Sequence, residues 1–451
     1  MRAVLRWVAF LALPLLSMAP GLADSENPHV PVVLISIDGL KPEYVLDADA
    51  HGLAIPNLRR FLSEGAYSSG VRGVIPTVTY PSHTTLVTGA SPAAHGILAN
   101  TTFDPYRKNY GGWYWYAEDI KVPTLWDVLA AAHLRTANVH WPVTVAARID
   151  ENLPQYWRAG SPEDRKLLRV LSTPGLLDRL ERELGPYADG IDESIEGDEN
   201  RARFAARLIE EQHADLTTIY LTALDHEEHR SGPFSPESIA TLERIDSALG
   251  LILEATARIY RGQVVVSVVS DHGFARAEKA LHLGVAFRKA GLLKVDAKGA
   301  ITGWKGMIWG AGGSAAIVLE DPNDRVTRAQ VAELLKKLAS DPANGILRIV
   351  PKEELRSRGG FNDAEWLVAL RPGTVIGENL SGPLLTPATV KGMHGYWPDL
   401  PEMNSAFFIA GPGVRAGKAV GTIDMRSIAP TLGQFLGVKL PAAEKPALSL
   451  E

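Results

Sequence analysis

Hydroxyls, imidazoles and carboxylates that could do chemistry crowd into a few short stretches of this 451-residue chain. The densest runs from Gly73 to Asn100, GVIPTVTYPSHTTLVTGASPAAHGILAN, and opens on a Pro-bounded, hydroxyl-rich segment, 77–83, that reads as a loop. A neutral threonine is a poor nucleophile, so a catalytic one needs a base or a metal to stabilise its alkoxide. Metal ligands are present elsewhere in the chain. Four clusters qualify: Asp38-Gly39, Asp225-His226-Glu227-Glu228-His229, Asp271-His272-Gly273 and Met393-His394-Gly395. Carboxylate and imidazole together suit zinc or a similar divalent ion.

Each cluster taken alone has a plain structural reading. Asp-Gly after a strand is most often a turn, and the 225–229 run also reads as a solvated helix start. His226-Glu227-Glu228-His229 is one residue short of the H-E-x-x-H zinc motif. Spacing allows Asp225 with His229 (i, i+4) or His226 with His229 (i, i+3), and does not choose between them. His394 by itself says little. The conjunction carries the weight.

These residues need elements that bring them together. Residues 30–37 form a near-continuous β-branched run, a strand buried on both faces that ends in Asp38. Residues 216–221 and 263–270 read as further strands, ending near Asp225 and in Asp271-His272. Strands are also expected at 136–140 and 405–410, and helices at 56–63, 124–134, 236–259 and 424–436. Residues 160–213 are charged and mostly helical, an outer layer or lid. Strands alternating with helices predict an α/β fold, a doubly wound, mostly parallel sheet with helices on both faces. Ligands of such sheets lie outside the carboxyl ends of the strands, where the clusters fall. From 304 to 372 the units shorten (strands 315–319, 346–350 and 366–370, helix 327–339), which predicts an inserted α+β subdomain.

Composition is that of a globular protein, 46% hydrophobic and 22% charged, and a net charge of −6 gives no basic surface for nucleic acid. Without cysteine there are no disulfides, Cys-zinc sites or thiol nucleophiles. Residues 1–23 read as a secretory signal: Arg2 and Arg6, an apolar stretch too short to span a membrane, and a small-residue site at Gly21-Leu22-Ala23. The mature chain, 24–451, then starts at Asp24, has no membrane span, and is periplasmic or secreted.

The blocks VVLISIDGLKPEYV, IPNLRRFLSEGA, IPTVTYPSHTTLVTGASPAAHGILAN, YLTALDHEEH, VVVSVVSDHGF, HGY and FFIAGPGV resemble, in order and spacing, the nucleotide pyrophosphatase/phosphodiesterase family of the alkaline phosphatase superfamily. The resemblance implies an alkaline-phosphatase-like fold and an exported two-zinc hydrolase of phosphodiester or pyrophosphate bonds, other divalent ions being admissible. It puts Asp225, His229 and His394 on one zinc, and Asp38, Asp271, His272 and the Thr79 hydroxyl on the other. Thr79, not Thr77, matches the family nucleophile that carries the phosphoryl group, and Asn100 matches the residue that holds a phosphoryl oxygen. Tyr80 and Tyr220 match pocket residues for a small nucleotide or other phosphodiester substrate. The aromatic run 113–116 would form a substrate rim. Imidazoles that bind metal donate their other nitrogen to an acceptor, here Glu227, Glu228 or backbone carbonyls. The remaining histidines, His83 and His95 among them, are expected to be structural.

Ser82 stands where relatives commonly carry Asn, and Thr222-Ala223-Leu224 replaces an E-x-P type stretch, which leaves substrate choice open. A phosphonoacetate hydrolase or a phosphomonoesterase of the same superfamily is the enzyme alternative; the former needs a lysine for the substrate carboxylate, Lys108 or Lys121. A sulfatase is excluded by the lack of a C/S-x-P-x-R motif. A catalytically silent binding protein would be expected to lose the nucleophile or ligands, and this chain keeps them.

Overall fold

The computed structural model describes residues 29–109, 112–158, 162–187 and 191–451; the expected signal segment lies outside the described residues. Eight strands make the central sheet: β1 (Val32–Ile37), β2 (Ala66–Tyr67), β3 (Thr136–Val139), β4 (Glu151–Leu153), β5 (Leu216–Leu221), β6 (Val265–Val269), β7 (Phe407–Ala410) and β8 (Lys418–Ala419). Their order is β8-β2-β7-β6-β1-β5-β3-β4. From β6 through β1, β5 and β3 to β4 all neighbours are parallel, and β7 closes on β6 antiparallel.

All six side chains of β1 are buried, as its unbroken apolar run requires. The period of two divides them. Val33, Ile35 and Ile37 pack with α1 (Pro56–Glu64), while Val32 and Leu34 pack with α2 (Thr79–Thr88) and α3 (Leu125–Ala131) on the other face. The first face also takes α4 (Ile195–Gln212) and, beyond α5 (Ala223–Ser231), the long α6 (Pro236–Tyr260); the second takes α7 (Ile428–Phe435). The sheet is thus covered on both faces, as expected.

Register decides what happens at the strand ends. Ser36 pairs with Val269 and Ile37 with Leu221, so β1, β5 and β6 finish level. Two residues past that line stand Asp38 and Asp271, and α5 follows β5 after one residue.

The 77–83 segment departs from its expected loop. α2 begins at Thr79 and ends at Gly89, whose φ of +69° suits a glycine cap. Pro81 falls in the first turn, where a missing N–H costs no intrahelical bond. All ten helix residues are buried, hydroxyls included. His95, further along, has a fixed role. Its Nδ1 accepts from the Ile97 N–H (3.1 Å) and its Nε2 lies 3.1 Å from the Thr85 hydroxyl, which donates to the Ala90 carbonyl. Burial lowers its pKa to about 3.

The 304–372 segment forms a four-stranded antiparallel sheet, ordered Gly306–Ala311, Ser314–Leu319, Trp366–Leu370, Ile346–Pro351, with helix Arg325–Ala339 against it. Its other face shares a core with Ile75, Ala99 and Trp397, and Arg348 and Arg358 lie over the Trp397 ring at 4.7 and 4.8 Å. A further strand, Ala275–Leu281, follows the Asp271-His272-Gly273 turn and was not legible in the sequence. Gly392–Met393 pairs with its first residues, which delivers His394 beside His272.

α5 has no cap from its own N-cap residue, Thr222. The buried Asp198 of α4 supplies one, accepting from the N–H groups of Thr222 (2.9 Å) and Ala223 (2.8 Å). Arg201 holds Asp198 at 2.8 Å and also donates to the Thr222 hydroxyl and to the carbonyls of Ile191 and Asp192. Replacing Asp198 by Ala strands a buried guanidinium and two N–H groups and should cost about 3–5 kcal/mol in chemical denaturation; the double variant Asp198→Ala/Arg201→Met should recover part of it. For His95 the folded pKa lies below the unfolded value, so the unfolded chain binds the extra proton between about pH 6.5 and pH 3. Stability is therefore lost as pH falls through that window. In His95→Gln the slope should shrink by up to about 1.4 kcal/mol per pH unit, read from denaturation midpoints at stepped pH.

Candidate active site

Three imidazoles and three carboxylates meet at the level strand ends. The His272 Nε2 lies 3.1 Å from Asp271 Oδ2, 3.4 Å from Asp38 Oδ1 and 3.9 Å from Asp225 Oδ1. Asp225 reaches the other two rings, with Oδ2 3.4 Å from His229 Nε2 and Oδ1 3.6 Å from His394 Nε2. The i, i+4 pairing of Asp225 with His229 is the one formed; His226 is exposed and faces Glu193. The His272 and His394 rings stack at 3.7 Å.

Each of the three rings has its Nδ1 on a backbone carbonyl: His229 on Gly392 (3.0 Å), His272 on Gly273 (3.3 Å) and His394 on Thr77 (3.3 Å). A carbonyl can only accept, so Nδ1 carries the proton and Nε2 turns a lone pair toward the carboxylates. That is the tautomer a metal ligand needs. Burial, with the neighbouring rings, pushes the pKa of His272 and His394 well down, and burial lowers that of His229. All three stay neutral.

The carboxylates are under the opposite strain. Burial first, and then the negative charge of Asp271, hold the Asp38 and Asp225 carboxyls well above the usual range. Asp38 Oδ1, Asp225 Oδ1 and Asp271 Oδ2 are buried without a hydrogen-bond donor. Buried acceptors facing neutral imidazole lone pairs fit divalent cations and little else. Donor atoms of Asp225, His229 and His394 lie within 4.8 Å of one another, and so do those of Asp38, Asp225 and His272. Asp225 thus falls in both groups. Asp271 adjoins the second through His272, while its Oδ1 accepts from the Gly39 N–H at 3.2 Å.

The Thr79 hydroxyl, first in α2, lies 3.4 Å from His272 Nε2. Asn100 holds the same helix end, its Oδ1 accepting from the Tyr80 N–H at 2.9 Å, which leaves its amide N–H groups as donors. Thr77 points elsewhere. Its hydroxyl donates to the Tyr396 carbonyl (2.7 Å) and its own carbonyl takes the Gly395 N–H (3.0 Å), tying the His394 turn to the Thr79 helix.

Tyr80 and Tyr220, expected to line a substrate pocket, are both buried, and neither is among the residues that line the cleft of about 700 Å³ beside His229 and His394. The Tyr220 hydroxyl donates to Asp38 Oδ2 and its ring meets His83 edge-on at 4.4 Å. The Tyr80 hydroxyl donates to Gln155, and its ring packs on Trp113 and Trp157. A chain whose apolar bodies are needed to fill the sheet-to-helix gap cannot also offer them to solvent. The open space lies on the other side. A cleft of about 700 Å³ starts at Val78, Asn100, His229 and His394 and runs between residues 101–109 and the strand Gly306–Ala311. Neither Lys108 nor Lys121 lines it.

Two residues here carry more than the sequence suggested. His83, one helical turn after Thr79, bonds the Thr79 carbonyl (2.8 Å) and Ser36 (2.9 Å) and stands 3.7 Å from Asp271. Its i, i+4 spacing from Thr79 was the available signal. Glu228 is fully buried under Asp38-Gly39 and bonds the Tyr44 hydroxyl at 2.7 Å; it touches none of the ligand imidazoles.

Fold and site together define the alkaline-phosphatase-like α/β class. The solved structure of human ectonucleotide pyrophosphatase/phosphodiesterase 5 shares this fold with a TM-score of 0.65 and 20% identity, over 93% of this chain and 97% of that one. A murine form of that protein, an inactive threonine-to-alanine variant in complex with AMP, matches equally well. A family model described as type I phosphodiesterase/nucleotide pyrophosphatase covers residues 32–397, and the chain belongs to that family. Among curated relatives, ectonucleotide pyrophosphatase/phosphodiesterase family member 3 of Rattus norvegicus is 27% identical over 269 residues, 56% of this chain and 26% of that protein. The chain therefore spans about a quarter of that relative's length. The bis(5′-adenosyl)-triphosphatase ENPP4 of Pongo abelii is 22% identical over 92% of this chain and 80% of its own length.

Metal content tests the shared position of Asp225. Titration with a divalent ion followed by elemental analysis should give about two ions per chain. His394→Ala should weaken one of them, and Asp225→Asn both. Because the carboxyls must lose protons to bind, affinity in the unmutated chain should rise with pH; a pH-independent affinity would contradict the geometry.

Proposed function

We propose that this protein is an exported hydrolase that cleaves phosphodiester or pyrophosphate bonds, with nucleotide-type substrates, through a phospho-Thr79 intermediate supported by two zinc ions. The observation that carries the reading is the convergence of three neutral Nε2 lone pairs on donor-less carboxylates, with the Thr79 hydroxyl 3.4 Å from His272. Asp225, His229 and His394 would hold one ion; Asp38, Asp271, His272 and the Thr79 hydroxyl the other. When bound by these residues, two divalent ions would lower the pKa of the attacking hydroxyl and neutralise charge on the leaving oxygen.

The chain's own residues do the rest. α2 presents Thr79 at its first turn, where the helix dipole favours an anionic oxygen. The Thr79 oxygen attacks phosphorus in line and the bond to the leaving oxygen breaks; water then attacks phosphorus and frees Thr79. Asn100, oriented by the Tyr80 N–H, donates to a phosphoryl oxygen. His83 fixes the first turn from below. Residues 1–23 act as the export signal, and 24–451 as one catalytic unit with 304–372 inserted. Among the described residues no helix is long and apolar enough to cross a membrane.

The two threonines separate sharply. Thr79→Ala should lose orders of magnitude in kcat with the fold intact, whereas Thr77→Ala should be far milder and act by loosening the His394 turn. Intact-mass trapping of the phosphoenzyme assigns the site; phosphate on Thr77 would overturn the reading. Substrate class offers a second check. Monoester transition states carry extra charge that enzymes meet with added cations, commonly a bidentate Arg. The residue matched to the phosphoryl oxygens here is the neutral Asn100. A nucleoside monophosphate p-nitrophenyl ester should therefore exceed p-nitrophenyl phosphate in kcat/KM by at least about 100-fold, roughly 2.7 kcal/mol. Equal monoester turnover would favour a phosphomonoesterase.

A further inference from the structure

The cleft beyond His229 and His394 has walls that phosphoryl transfer itself does not require. His229, His394 and Asn100 line its inner end, whereas Asp38, Asp271 and His272 do not. The Thr79 hydroxyl sits on the His272 side. In an in-line displacement the leaving oxygen departs opposite the attacking one. With Thr79 attacking from the His272 side, the leaving group exits past His229 and His394, into the cleft.

We infer that this cleft is the leaving-group subsite and that it selects diesters whose leaving alcohol is uncharged and bears a bulky apolar group, over pyrophosphate-type leaving groups. The inference rests on the reading of Thr79 as nucleophile. Size and lining support it. About 700 Å³ holds a group far larger than a phosphate. The apolar part of its lining includes Phe103, Met307, Ile308, Trp309, Ile376 and Leu380, beside polar residues of the 100–109 segment and Glu378. The Phe103 ring packs on Trp309 at 5.3 Å and on Trp304 at 5.8 Å, so the 101–109 segment is anchored against the strands at 301–311 along one side of the cleft. At the other end Arg107 donates to the Glu378 carbonyl (3.4 Å), bridging the mouth.

Charge argues the same way. Arg107 is the one basic residue among those that line the cleft, and it is exposed, while Asp104 and Glu378 line it as well. Beyond the inner end, where an ion on His229 and His394 would face any leaving oxygen alike, the outer phosphate of a departing pyrophosphate would meet more negative than positive charge. A neutral alcohol meets none of that repulsion, and each methylene it buries multiplies affinity by about four.

The test uses the metal-loaded full chain and thymidine 5′-monophosphate esters of ethanol and of n-octanol, alcohols of similar acidity, with ATP as the third substrate. With about half of its six additional methylenes buried, the octyl ester should exceed the ethyl ester in kcat/KM by about 100-fold, and ATP should trail both. Ile308→Lys and Leu380→Lys, both at half-buried positions of the cleft lining, should each collapse that ratio and raise ATP turnover. Binding gives a readout independent of turnover. Monooctanoylglycerol or 2-naphthol should raise the Tm of the unmutated protein and not of the lysine variants, and whichever shifts it more distinguishes a chain from a ring. An octyl-to-ethyl ratio near one, a preference for ATP, or the lack of any thermal shift overturns the assignment. A retained shift with no turnover of any ester would refute the Thr79 reading and leave the cleft's apolar selectivity standing.

Discussion

Like charges repel, and the register of three parallel strands forces this protein to hold several of them at one edge. Two carboxylates about 4 Å apart repel by about 4 kcal/mol at an effective dielectric near 20. Asp38, Asp225 and Asp271 are placed so by backbone, since β1 and β6 end level and α5 starts directly past β5. No lysine or arginine is paired with them among the described residues, and the imidazoles that face them are neutral. Crowded together, the Asp38 and Asp225 carboxyls hold their protons well above the usual range, and cations that replace those protons relieve the repulsion.

Much of the surrounding detail can be read as a means of holding that arrangement still. Every imidazole is aimed by a backbone carbonyl rather than by a mobile side chain. Asp198 and Arg201, wholly buried, fix the start of the helix that carries Asp225 and His229. Thr77 and His83 fix opposite sides of the Thr79 turn, one against the His394 loop and the other against β1. Positions on rigid strands and capped helices are reproducible to a fraction of an ångström, which chemistry by positioning demands.

The cleft that leads from this centre is walled by the 101–109 segment and by the sheet within residues 304–372, which lie outside the central sheet. The ligands are thus carried on the doubly wound sheet, while the shape and charge of what approaches them are set by segments beyond its strand register.

The sequence alone determined the fold class, the positions of β1, β5 and β6, and the residue types gathered at their ends. An unbroken apolar run has one stable home, inside a sheet covered on both faces, and its last residue then points out of the carboxyl edge. It could not determine how His394 arrives. That depends on the strand Ala275–Leu281, whose buried positions are mostly small alanines between charged residues, and whose pairing with Gly392–Met393 is a long-range choice. Nor could it separate an aromatic beside a cleft from one that only fills the core: Tyr80 and Tyr220 are buried away from the cleft of about 700 Å³, whereas the half-buried Phe103, backed by the core residue Trp309, lines it. The double proximity of Asp225, and the orientation of the His229 and His394 imidazoles by carbonyls from distant loops, were likewise tertiary outcomes. Local pattern specifies which face of an element is buried; only the packed chain specifies which side chains from different elements come within hydrogen-bonding reach of one another.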